Sequence, residues 1–184
     1  MKHLGTKTIE TERLILRRAQ IGDGATMYRN WASDPEVTKF LTWPTHGSPE
    51  ISEQIVAFWA GEYGKENFYQ WMIVWKEIGE PIGSISVVQM NDQVQSAEIG
   101  YCMGKNWWHK GIMSEALQAV TDYLFDEVGF RRIEARHDPR NPNSGGVMRK
   151  CGMVYEGTSR QADRNNQGIC DACRYGLLAE ERRK

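Results

Sequence analysis

Ala97-Glu98-Ile99-Gly100-Tyr101 is followed, after a short basic and aromatic stretch, by Trp108-His109-Lys110-Gly111-Ile112-Met113-Ser114-Glu115-Ala116. The first run reads as an apolar strand carrying one acid. The second reads as a glycine turn that opens an amphipathic helix. A strand end, a glycine turn and a helix N-terminus together make a place for phosphate. First-turn N–H groups lack acceptors there, and the helix dipole is positive. Lys105, His109 and Lys110 add positive charge, and Gly111 lets backbone approach a ligand. The same residues also suit a plain helix start with solvated lysines, and spacing alone leaves both readings open. The acid upstream points to chemistry on the ligand rather than storage.

The rest of the chain bounds the problem. Its 184 residues suffice for one domain over 1–184 with a sizeable core. Hydrophobic residues make up 40% and charged residues 26%, an ordinary globular balance that argues against disorder. A formal charge of −1 gives no general pull toward nucleic acid or membrane, so neither is expected as a partner. No stretch approaches a membrane-spanning run, and residues 1–6 carry no apolar signal core. Cytoplasmic residence is the expectation. The cysteines are Cys102, Cys151, Cys170 and Cys173. Cys170-x-x-Cys173 invites a zinc or redox reading, but no second close Cys/His pair completes a ligand set, so no metal is expected.

Periodicity sets the element order. Strands are expected over 9–18, 70–75, 82–90, 95–103, 132–137, 153–160 and 170–178. Helices are expected over 23–32 with Asp23 as N-cap, from Pro49 to Gly61 or Gly64, over 114–128 with Gly129 as the stop, and over 143–151. Asp34-Pro35 reads as a helix end, and 161–168 as a polar loop. The order β-αα-βββ-α-β-α-ββ describes a mixed α/β protein with a mainly antiparallel sheet, not a doubly wound one. Gly100 to Lys105 imitates a P-loop but has its glycines one residue too close, and Asn106 stands where Ser or Thr must bind magnesium. No Gly-x-Gly-x-x-Gly fingerprint exists.

Several segments in order resemble the GNAT acyltransferase superfamily, in its RimJ/RimL-type N-acetyltransferase branch. Thr11-Glu12-Arg13-Leu14-Ile15-Leu16-Arg17 is similar to that branch's first strand, Pro81-Ile82-Gly83-Ser84-Ile85 to its third, and Ala97 to Tyr101 to its fourth. Gly111 to Ala116 resembles its pyrophosphate loop. Asn141-Pro142-Asn143-Ser144, Met148-Arg149-Lys150-Cys151-Gly152-Met153 and Tyr155-Glu156-Gly157 resemble its C-terminal motif. The resemblance implies a mixed central sheet of about seven strands, splayed between the fourth and fifth and flanked by about four helices. It implies acetyl-CoA as cosubstrate, with the pantetheine arm in the splay. Ile99, Tyr101, Cys102 and Met103 would then contact the arm, Trp108, His109, Lys110, Gly111, Ile112, Met113 and Ser114 the phosphates, and Asn141 the arm again. The superfamily pattern Gln/Arg-x-x-Gly-x-Gly/Ala maps onto Trp108-x-x-Gly111-x-Met113, so two of its three marked positions differ. Homodimers fit this branch, but no exposed apolar stripe is readable here.

Forming an amide from a thioester needs a neutral amine, a polarised carbonyl and a protonated leaving thiol. An α-amine titrates near ~7.7–8 and a lysine near ~10.4, so a carboxylate is an adequate base for an N-terminal acceptor. Glu98 is the candidate base, with a substrate-ammonium anchor or an arginine pair as the alternatives. Ser144 is the candidate acid by resemblance; a helix N-cap is its bland alternative. Met148 stands where many superfamily members carry a tyrosine acid, and it cannot donate a proton. Gly145-Gly146 weakens the helix that follows and would either make room for the donor or loosen the loop. Tyr155 is an alternative donor or a core residue. No cysteine has a convincing nucleophile setting, so direct transfer is expected.

The acceptor is a primary amine: a protein N-terminus of ribosomal type, or a small polyamine, amino acid or antibiotic. A non-catalytic acyl-CoA-binding module is the alternative class. Phe40, Trp43, Tyr69 and Trp71 are candidate acceptor-pocket aromatics, and the polar run Asp163 to Asn166 is a candidate acceptor reader.

Overall fold

A computed structural model describes residues 1–182. Eight strands form one sheet in the order β1-β2-β3-β4-β5-β6-β8-β7. They are β1 (Ile9–Glu10), β2 (Leu14–Arg17), β3 (Gln70–Trp75), β4 (Glu80–Asn91), β5 (Ser96–Met103), β6 (Arg132–His137), β7 (Val154–Asn165) and β8 (Gly168–Leu178). All neighbours pair antiparallel except β5 and β6. The mixed, mainly antiparallel architecture is the expected one. The eighth strand arises because 9–18 is two strands rather than one. The Thr11 hydroxyl accepts from the Leu14 N–H at 3.0 Å and turns the chain between them.

Helices α1 (Asp23–Met27), α2 (Pro35–Thr38) and α3 (Pro49–Glu62) precede β3, α4 (Ile112–Tyr123) joins β5 to β6, and α5 (Pro142–Lys150) joins β6 to β7. Asp23 is not the N-cap of α1. Gly22 holds that position in the left-handed region, and the Asp23 carboxylate accepts from Arg17 and from the Gln20 N–H. The helix continues to Ala32 as a wider π turn. The first helix ends at Ala32, just before Asp34-Pro35 as expected, and the same pair also begins a further helix, because the Asp34 carboxylate caps the Glu36 N–H and Pro35 sits in the first turn. Helix α3 runs through Gly61. At the other end of the chain the expected polar loop is mostly strand. Strands β7 and β8 extend until only Asn166 and Gln167 are left for the turn, with Gly168 at φ 96°.

Two apolar layers flank the sheet. On one face Leu14, Leu16, Trp71, Ile73, Ile85 and Ile99 pack against Ile112, Ala116, Leu117 and Val120 of α4 and Met148 of α5. On the other, Met72 packs against Met27, Trp31 and Val56 of the first helices. Strand β3 is buried on both faces, which explains why its apolar run shows no alternation. Across β5, β6, β8 and β7 that second face carries ion pairs instead: Arg132 with Glu134 and Glu156, and Arg136 with Glu98 and Asp163.

Candidate active site

The sheet forks where the opening motif lies. Parallel pairing of β5 with β6 covers only Ser96↔Arg132, Ala97↔Ile133 and Glu98↔Glu134. Beyond Glu98 the strands part, so the β6-facing backbone groups of 99–103 have no strand partner. On the other side β4 carries a bulge between Val87 and Gln89, opposite the Glu98–Ile99 step. Gly100 makes room for it, since a Cβ there would lie 2.8 Å from Val88 Cγ1. A cleft of about 720 Å³ opens at the fork. Its lining includes Tyr101, Cys102 and Met103 of β5, Trp108, His109 and residues 111–114, Arg140 to Ser144, and Val37 to Leu41 without Thr38.

The turn into α4 is held from outside. Arg13, at the mouth of β2, donates through Nη1 to the Lys110 carbonyl at 2.9 Å and through Nε to Glu115 at 2.6 Å. Glu115 also accepts from the Thr11 hydroxyl and the Arg13 N–H. Burial pushes the Glu115 carboxyl up, but these hydrogen bonds outweigh it and hold the group below the usual carboxylate range. The one acid in the first turn of α4 thus faces Arg13. His109 and Gly111 both take positive φ, 61° and 73°, and Trp108 Nε1 donates to the Met103 carbonyl. Helix α4 has no side-chain cap, so the N–H groups of Ile112, Met113 and Ser114 are left facing the cleft they line. Lys39, His109, Arg140 and Lys150 line the same cleft. An uncapped helix start among basic side chains, continuous with an unpaired strand edge, fits a pyrophosphate followed by an amide-bearing arm.

At the inner end, Tyr101 and Ser144 meet. The Tyr101 hydroxyl is 3.0 Å from the Ser144 carbonyl, to which it donates, and 3.1 Å from the Ser144 hydroxyl. Burial pushes the phenol above its ordinary value, so it stays protonated. Ser144 is the third residue of α5, not its cap. Gly145 is fixed by packing: a Cβ there would lie 2.5 Å from His137 Nε2, whereas Gly146 has nothing nearer than Arg149 Nη2 at 4.0 Å. Met148 is in the core.

Glu98 lies at the crotch of the fork, with its side chain on the opposite face from Tyr101. The Arg136 guanidinium donates to it through Nη1 and to Asp163 through Nε at 2.6 Å. Burial pushes the Glu98 carboxyl up, Arg136 pulls it down, and the net direction is up.

The cleft brings together Tyr101, Cys102, Met103, Trp108, His109, Gly111, Ile112, Met113, Ser114, Asn141 and Ser144. Ile99 is core, Lys110 places its ammonium 5.1 Å over the Trp75 ring, and Glu98 faces away. Sequence reasoning missed Val37, Lys39, Leu41 and Arg140, because the wall they form comes from α2 and the residues just after it, where no element was expected, and from the β6–α5 turn. Of the four aromatics proposed for the acceptor pocket, Phe40 lines the cleft, while Tyr69 and Trp71 are buried in the core. Trp43 packs on His46. Tyr155 is neither core nor cleft; it is exposed and bonded to Thr158. Cys170 and Cys173, three apart on a strand, reach Asn165 and Thr158 separately. No group of metal ligands occurs among the described residues, and none of their helices is long and apolar enough to cross a membrane.

A forked sheet with an uncapped helix start on one side and a hydroxyl pair at its base defines a CoA-dependent acyltransferase. The model of the acetyltransferase (GNAT) domain matches residues 13–154. The uncharacterized N-acetyltransferase p20 of Bacillus licheniformis is 30% identical over 175 residues, covering 95% of this chain and 98% of its own. The ribosomal-protein-serine acetyltransferase of Escherichia coli is 28% identical over 116 residues, 63% of this chain and 64% of its own. A GNAT-family acetyltransferase structure from Bacillus anthracis superposes with a TM-score of 0.83 at 26% identity, covering 95% of this chain and 99% of that one. The chain belongs to the GNAT acetyltransferase family, with relatives of the RimJ/RimL type, and is an acetyl-CoA-dependent N-acetyltransferase.

Proposed function

We propose that the chain, acting as a single domain, transfers the acetyl group directly to a protein N-terminal α-amine. The observation that carries this is Glu98 at the crotch of the fork: it is the only acid on β5 and holds the last position paired with β6, just before the strand edge along which the donor cleft opens, on the face opposite Tyr101. Similarity to a ribosomal-protein-serine acetyltransferase supports the α-amine as acceptor. Acetyl-CoA supplies an activated acyl carbonyl and a thiol leaving group. In this reading Ile112 to Ser114 hold the pyrophosphate through main-chain N–H groups, with His109, Arg140 and Lys150 around it. Asn141 and the free edge of 99–103 hold the arm, and N–H groups of that edge meet the carbonyl oxygen as it gains charge. Glu98 takes the proton from the amine, directly or through water. Ser144, backed by the protonated Tyr101, gives a proton to the departing sulfur.

The test is thiol release from acetyl-CoA, with products read by mass spectrometry. The panel contains peptides with Ser, Ala and Met N-termini, spermidine and free amino acids. Acetylation of the peptide α-amines is expected. Transfer confined to the small amines overturns the acceptor, and binding of acetyl-CoA without release for every acceptor overturns catalysis.

A further inference from the structure

The polar run Asp163 to Asn166 turns out to lie at the tip of the β7–β8 hairpin, and its first residue, Asp163, reaches the fork. Asp163 and Glu98 share one guanidinium: Arg136 gives Nε to Asp163 at 2.6 Å and Nη1 to Glu98. Arg136 comes from β6, two residues beyond the last residue that pairs with β5, so it stands where the strands have begun to part. The three side chains are largely withdrawn from water, with 11% of Glu98, 29% of Arg136 and 23% of Asp163 exposed. A guanidinium has a fixed fork of donors and cannot lose its charge, so it holds two carboxylates in a defined geometry.

We propose that Arg136 is the positioning residue of Glu98, and that Asp163 sets how much of its charge Glu98 receives. The inference rests on Glu98 acting as the base. Arg136 keeps the carboxylate ionised and aimed along the fork. Asp163 draws the guanidinium away and leaves Glu98 more basic than a full pair would. The other charges facing Glu98 are Glu134 on β6, which adds to its basicity, and Arg174 on β8, which subtracts from it. Gln89, opposite Glu98 on β4, is neutral. Removing Arg136 and removing Asp163 should therefore shift Glu98 in opposite directions, and a positioning role should carry that shift into the pH dependence of turnover.

The experiment is a carbon-detected NMR titration of the glutamate side-chain carboxyls in the full chain, with Glu98 assigned by its absence in Glu98→Gln. Arg136→Gln should move the Glu98 titration up, Asp163→Asn should move it down, and Arg136→Lys should fall between Arg136→Gln and the parent. In the acetylation assay, kcat/KM at pH 6 should drop roughly tenfold in Arg136→Gln, with partial recovery in Arg136→Lys. Affinity for acetyl-CoA should hold, since Arg136 does not line the cleft. An unmoved Glu98 titration in both Arg136→Lys and Asp163→Asn overturns the proposal, as does a shift of both in one direction. Should Glu98→Gln acetylate as well as the parent, the base assignment falls, while the titrations still judge the shared guanidinium.

Discussion

Arg13 donates to the main-chain carbonyl of Lys110 at 2.9 Å, joining the mouth of β2 to the turn that opens α4. Thr11-Glu12-Arg13 and Gly111 to Glu115, about a hundred residues apart, therefore form one structure. Arg13 fixes the carbonyl just before Gly111 and removes the Glu115 carboxylate from the anion's side of the helix start. Arg13→Ala is expected to weaken acetyl-CoA about tenfold by calorimetry, since the turn loses its support and Glu115 is freed beside the phosphates. It should also cost about 1–2 kcal/mol in denaturant unfolding, the value of the charged hydrogen bonds lost. An unchanged affinity would show that the turn holds its shape unaided.

Burial raises the Glu98 carboxyl above its ordinary value, and this has a kinetic signature. The base must be ionised and the acceptor amine neutral, so both need rising pH. Below the Glu98 titration, log kcat/KM should rise with pH at a slope near two; above it, the slope should be near one until the amine titrates at about 8. Glu98→Gln should lose most turnover and keep a slope of one throughout, with acetyl-CoA binding unchanged. A parent profile with a single slope removes Glu98 from proton transfer.

Gly145 and Gly146 should respond with opposite signs. Each Gly→Ala change favours the helix by roughly 1 kcal/mol. At Gly145 the new methyl would meet the His137 ring at 2.5 Å, and overpacking costs about 1–3 kcal/mol, so the net effect is destabilising. At Gly146 no such contact exists, and Gly146→Ala should raise the melting temperature. Thermal unfolding of both variants checks the pair.

Asn166, at the hairpin tip, donates to the carbonyls of Thr38 and Trp43, each at 2.8 Å, and its N–H donates to the Leu41 carbonyl. Those bonds hold the segment that places Val37, Lys39, Phe40 and Leu41 on the cleft. Asn166→Ala leaves the main-chain bond and removes the other two. Faster hydrogen exchange over 38–43 is expected, with a KM increase of about three- to tenfold for the preferred amine and little change in exchange within α4. Unaltered exchange over 38–43 would mean the segment is held by its own packing.

Much of this was readable in the sequence, and the reasons are local. Strands β3 and β6 lie where expected, β3 from a continuous apolar run and β6 from alternation, because both patterns are properties of neighbouring residues. The start of α4 follows from Gly111, whose φ of 73° suits glycine, and from the apolar stripe behind it. The readings that changed depend on partners distant in sequence. Asp23 has the chemistry of an N-cap, but Arg17 claims it. Tyr69 and Trp71 have the composition of a pocket, yet they lie under the sheet.

The opening motif shows the same division. By itself the sequence determined that a strand with one acid leads through a glycine turn to an uncapped helix, because φ preference, periodicity and the dipole are carried by the segment. Only the tertiary structure decided that Arg13 grips that turn, that Tyr101 reaches Ser144, and that Glu98 turns from the donor cleft toward Arg136 and Asp163. The face a strand residue occupies follows from the pleat, but its partners across the sheet follow from the order in which β5, β6, β8 and β7 assemble.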